Sequence, residues 1–104
     1  MTELERDIFG LISVSGESKG KAFEALKLIG EGKYDEARVK IEESRKLDLE
    51  AHAIQSKLIS MEASGDRVEM GLLMVHAQDH YMTTQLARDL IEGMINIHQM
   101  REEK

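Results

Sequence analysis

The stretch Met74-Val75-His76-Ala77-Gln78-Asp79-His80-Tyr81-Met82 packs two imidazoles, an amide and a carboxylate into the five positions 76–80. Neutral imidazole is a nucleophile near pH 7 and a common metal ligand, and a carboxylate suits hard cations. The chain holds no proline, so nothing forces a helix to break here. On a helix that turns once every ~3.6 residues, His76, Asp79 and His80 share one side. The same spacing extends into a row of Leu72, His76, Asp79, Thr83, Leu86, Leu90, Met94 and Ile97. Most of the row is apolar, which predicts a seam facing other helices, interrupted by His76 and Asp79. Groups buried in such a seam need a partner or a cation, because unpaired they cost several kcal/mol.

These residues suit several chemistries. His76 and His80 have the spacing of a zinc-protease helix, but that motif needs a glutamate directly after the first histidine, and Ala77 stands there. A metal-dependent hydrolase would need bound Zn²⁺ or a pair of metals. A structural metal at His76, Asp79 and His80 within a non-catalytic helical adaptor is an alternative. So are histidines satisfied by hydrogen bonds in a core. Asp79 can pair with a Lys or Arg of another helix. If identical chains instead meet about an axis, its copies converge and repel, and Mg²⁺ would neutralise them. Met61, Met70, Met74, Met82, Met94 and Met100 read as core filler. His52 and His98 alone carry no signal, and Glu42-Glu43 reads as a solvated face.

The elements that must position these groups follow from composition and punctuation. A chain of 104 residues with 41% hydrophobic content suits one domain, residues 1–104. With two Tyr, two Phe and no Trp, the expected core is aliphatic and Met-rich, as helix packing allows. A net charge of −6 argues against nucleic acid or an anionic membrane surface as main partner. No Cys is present, which excludes a thiolate nucleophile, disulfides and thiolate metal sites. No apolar run approaches the ~20 residues of a membrane span, and the N-terminus lacks a signal-peptide pattern, so the expected location is cytoplasmic.

Thr2 with Glu5 predicts a capping box that opens a first helix, whose apolar positions are Leu4, Ile8, Leu11, Ile12, Ala22, Phe23, Leu26 and Ile29. Gly16 and Gly20 predict a kink or a close helix contact, and Gly30 and Gly32 its end. A second helix is expected from near Tyr34 to about Met61, facing inward with Ala37, Ile41, Ser44, Ala51, Ile54, Leu58 and Met61. Gly65 closes it, and Asp66 with Glu69 predicts the start of a third helix from about Arg67 to His98. The fold expected is all-α, an antiparallel three-helix up-down-up bundle. Three helices leave one broad side of the third uncovered, the side that carries the row of His76 and Asp79, which points to self-association through a coiled-coil-like seam.

Val75-His76-Ala77-Gln78-Asp79-His80, with Met82-Thr83-Thr84 and Leu86-Ala87-Arg88-Asp89-Leu90, resembles the signature of the lactose/cellobiose-type enzyme IIA of the bacterial phosphoenolpyruvate:sugar phosphotransferase system. Glu50-Ala51-His52, Gln55 and Leu58-Ile59 are similar to that family's second helix. The resemblance implies a homotrimer and a phosphoryl relay from HPr to a cysteine of a IIB component, with contact to the membrane only through a IIC component. His76 would be the phosphorylated residue, with Gln78 and His80 in support through hydrogen bonds. Asp79 would meet its copies at the trimer axis and hold a metal ion, one Mg²⁺ per trimer. Leu-Ala-Arg-Asp-Leu leans toward a cellobiose or chitobiose substrate over lactose. Tyr81 and Lys19 depart from the usual Leu and Arg, which bears on partner contacts and sugar class.

Overall fold

The computed structural model describes residues 1–103 as three helices, α1 (Glu3–Gly30), α2 (Tyr34–Ala63) and α3 (Leu72–Glu102), with no strand among the described residues. Their ends follow local chemistry. The Thr2 hydroxyl accepts from Glu5 N–H at 3.1 Å while the Glu5 carboxylate accepts from Thr2 N–H at 3.2 Å, closing the expected box. At the other end of α1, Gly32 takes φ +75°. Its N–H donates to Ile29 C=O and that of Lys33 donates to Leu28 C=O, a Schellman arrangement. Gly65, at φ +94°, repeats it for α2, with Gly65 N–H on Glu62 C=O and Asp66 N–H on Met61 C=O.

Cross-helix pairs give the direction. Gln55 bonds Gln78, His52 bonds Tyr81, Arg45 bonds Glu92 and Arg38 bonds Gln99. Numbers fall along α2 as they rise along α3, so the two are antiparallel. α1 and α2 are antiparallel too, with Lys57 on Glu3, Ser44 on Ser18 and Lys40 on Glu24. The result is the up-down-up bundle, 56 Å long.

Two apolar clusters fill it. Ile8, Leu11, Ala51, Leu58, Val68, Met74, Ala77 and Tyr81 form one end, and Ala22, Ala25, Ile29, Ala37, Ile41, Ile91 and Ile95 the other. Between them lies a buried layer of Ser15, Ser18, Ser44 and Thr84. The Ser18 and Ser44 hydroxyls each donate to the other residue's carbonyl at 2.8 Å, and Thr84 donates to Ser15 C=O at 3.1 Å. Small side chains let backbones approach, and the reciprocal bonds satisfy the Ser18 and Ser44 hydroxyls that burial would otherwise penalise. The Ser15 hydroxyl has no partner among the described residues.

Several expectations give way. Gly16 and Gly20 make no close contact: a Cβ at either meets nothing within 4 Å, and α1 runs through both. Ser15 and Ser18, on the facing side, make the close approach instead. Phe23 and Leu26 are exposed, as are Met70, Met82, Met94 and Met100. Of the methionines only Met74 is fully in the core and Met61 packs at its edge. The capping pair Asp66/Glu69 starts no helix; α3 begins at Leu72 after an extended Gly71. The physical reason is Val68, which tucks into the core beside Ile8 and Leu58, a placement an extended connection allows.

The row of Leu72, His76, Asp79, Thr83, Leu86, Leu90, Met94 and Ile97 lies on the side of α3 expected to be left uncovered, and so outside the core of the single bundle. It does not face α1 or α2. All eight residues are exposed, Leu72 to 87%, Leu86 to 60% and Leu90 to 57%. The residues of α3 that pack inward are Met74, Ala77, Tyr81, Thr84, Arg88, Ile91 and Ile95.

Candidate functional site on the outer face of α3

Because Met74, Ala77 and Tyr81 anchor α3 to the core, His76 and Asp79 between them are turned outward. His76 is exposed, and one helical turn on, His80 is half-buried. Their rings meet edge to face, with centroids 4.4 Å apart and planes at 86°. Nδ1 of His80 is buried and has no hydrogen-bond partner among the described residues. One ring is thus reachable by a large partner, and the other backs it on the same side.

Asp79 is exposed beside them. Its carbonyl, not its carboxylate, takes the Thr83 hydroxyl at 2.7 Å, and no Lys or Arg pairs with it among the described residues. No group of three or more His, Cys, Asp or Glu residues able to hold a metal occurs among the described residues. A metal held within one chain by His76, Asp79 and His80 therefore lacks its ligand cluster. One exposed carboxylate on an apolar row fits a hard cation only where further copies supply oxygen ligands.

Gln78 is placed differently from His76. It lies about 160° around the helix from it, half-buried against α2. Gln55 Nε2 donates to Gln78 Oε1 at 2.6 Å and Gln78 Nε2 donates to Gln55 Oε1 at 2.8 Å. The structure brings His76 and His80 together and does not bring Gln78 to them.

Residues that sequence reasoning passed over line the same α2–α3 interface. His52 Nδ1 sits 3.0 Å from the Tyr81 hydroxyl. Arg88 and Asp48, 10% and 13% exposed, pair at 3.0 Å. Burial pushes the Tyr81 phenol above its ordinary pKa, and the Asp48 carboxylate adds to the shift against smaller pulls from Gln85 and Arg88. The signal available in the sequence was His52 and Gln55 set three apart on α2, matching Gln78 and Tyr81 three apart on α3.

The profile of the family described as "PTS system, Lactose/Cellobiose specific IIA subunit" matches residues 6–99. The chain belongs to this IIA family. Among its relatives, the N,N'-diacetylchitobiose-specific EIIA component of the Escherichia coli phosphotransferase system is 41% identical over 97 residues, 93% of this chain and 84% of that one. The crystal structure of the cellobiose-specific enzyme IIA from Bacillus anthracis superposes with a TM-score of 0.95 at 36% identity, covering 100% of this chain and 95% of the other. The IIA of the E. coli chitobiose branch, solved in solution in complex with HPr, superposes at 0.82 with 38% identity, over 98% and 99%. The IIA bundle thus accounts for nearly every described residue. In keeping with such a component, no helix among the described residues is long and apolar enough to cross a membrane.

Proposed function

We propose that this IIA chain is a phosphohistidine carrier that accepts a phosphoryl group from phospho-HPr on His76 and passes it to a cysteine of a IIB component during uptake of a disaccharide. The observation that carries the reading is the exposed His76 ring, backed edge-on by His80 on the outer face of α3. In the first step a ring nitrogen of His76 attacks phosphorus as the donor's N–P bond breaks. In the second that new N–P bond breaks as the acceptor's S–P bond forms. Phosphoryl transfer depends on positioning and on charge stabilisation more than on many reacting groups. An exposed imidazole on a rigid helix supplies the first, and His80 is the nearest group able to donate a hydrogen bond to the phosphoryl oxygens. A chitobiose- or cellobiose-like substrate is favoured by the 41% identity to the chitobiose component.

The same reading takes the working assembly to be a homotrimer closed by the exposed row of α3. An apolar strip of this length is rare on a monomer's surface. Three Asp79 carboxylates would then converge near the axis, where Mg²⁺ would neutralise their charge.

Incubation with phosphoenolpyruvate, enzyme I and HPr tests the carrier. The parent chain is expected to gain an acid-labile phosphate. His76→Gln keeps the helical spectrum and gains none, while His80→Gln retains partial labelling. Full labelling of His76→Gln would sink the assignment. No labelling of the parent would leave the helical adaptor as the better reading.

A further inference from the structure

One turn of α2 grips the turn of α3 that carries the two histidines. Gln55 and Gln78 exchange two hydrogen bonds, at 2.6 and 2.8 Å. One step along the interface, His52 Nδ1 lies 3.0 Å from the Tyr81 hydroxyl. The paired residues are three apart on each helix, so the two contacts stack along the groove. On α3 they bracket His80 and follow His76.

We infer that Gln55 and His52 of α2 are positioning residues for transfer at His76, holding the His76/His80 turn at one rotation about the α3 axis through Gln78 and Tyr81. The inference rests on the carrier reading above. Two antiparallel bonds between amides resist twisting as well as separation, which a single contact does not. Gln78 stands nearly opposite His76 on the helix, so fixing one aims the other. A ring about 6 Å from the helix axis swings by about 1 Å for a rotation of about 10°. A misplacement of that size costs group transfer up to about 100-fold. Toward the far end α2 and α3 meet through Arg38 on Asn96 and Gln99, whose long flexible arm tolerates such a rotation.

The grip is separable from stability. Gln55 and Gln78 form one wall of an open cleft of about 230 Å³, shared with Leu58, Val68 and Met74. Water therefore reaches whichever amide is left when its partner is removed, and bridging water replaces much of the lost bond.

The test is the steady-state rate of phosphoryl transfer from phospho-HPr, with kcat, KM and Tm measured for the parent, Gln55→Leu, Gln78→Leu, the double variant and Arg38→Leu. Gln55→Leu is expected to lower kcat about tenfold with KM and Tm near parental values. The double variant is expected to be no slower than the slower single one, because the two amides act as a unit. Arg38→Leu, which cuts an α2–α3 bridge far from His76, should leave kcat unchanged. Gln55→Glu, which keeps a bond to the Gln78 amide, should recover part of the rate and carries the test if the leucine variant fails to fold. A parental kcat in Gln55→Leu, an equal loss in Arg38→Leu, or losses that simply multiply in the double variant would each overturn the inference while leaving the carrier standing. A parent chain that takes no phosphate would overturn both.

Discussion

At the scale of single residues, several polar groups of the α2–α3 interface are matched in pairs, and Tyr81 shows why. It stands where the IIA resemblance expects leucine, is 6% exposed, and finds a hydrogen-bond partner in His52. A buried phenol stays useful only with such a partner. Its proton is also held more tightly in the folded chain than in the unfolded one, chiefly through burial. The unfolded chain loses that proton from about pH 10, the folded chain only at higher pH. Between the two values the unfolded state binds fewer protons, so stability falls as pH rises. Lys40 and Lys57 act in the same direction, since Glu24 and Glu43, or Glu3 and Asp7, raise their pKa. Tyr81→Phe is therefore expected to cost about 0.5–1.5 kcal/mol at pH 7 for the lost hydrogen bond. It should also decline less steeply as pH rises above ~10 in denaturant melts. A decline as steep as the parent's would show that Tyr81 is not a source of it.

At the scale of elements, the glycines divide into two kinds. Gly32 and Gly65 end α1 and α2 with positive φ, where a Cβ is strained whatever the space around it. Gly16 and Gly20 lie within α1 with open space beside them. Gly32→Ala and Gly65→Ala are each expected to destabilise by about 1–2 kcal/mol. Gly16→Ala and Gly20→Ala should each stabilise by about 0.5–1 kcal/mol. Urea melts of the four variants check both signs. Losses at positions 16 and 20 would mean that α1 needs its glycines for an approach by something outside the protomer.

At the scale of the whole molecule, α1 and α2 cover one side of α3 and leave the other side open. If the open row closes a trimer, Asp79 is its costly member. Three carboxylates in an apolar seam repel, and a divalent cation relieves them. Asp79→Leu is expected to stay trimeric by light scattering and to lose any dependence on metal. With a chelator present it should melt no lower than the parent, since replacing a buried charged cluster by apolar packing is often neutral or stabilising by ~1–4 kcal/mol. A monomeric Asp79→Leu would show that the metal site, not the apolar seam, holds the assembly.

What the sequence by itself determined was local. The Thr2/Glu5 box, the stops at Gly32 and Gly65 and the helical run through His76 and His80 depend on residues within a turn of one another, and all stand in the structure. Periodicity also put His76, Asp79 and His80 on one side of α3. It could not tell which side turns inward. A row rich in large aliphatic side chains, with Leu72, Leu86, Leu90 and Ile97, is the one left outside, while the row with Thr84 and Arg88 is buried. That choice belongs to the partners. Ser15 supplies a carbonyl for Thr84, Asp48 a counter-charge for Arg88, and Gln55 an amide for Gln78, all 23 or more residues away in the chain. A polar residue reads as outward until its distant partner is known, and only the packing of three helices brought these partners within reach.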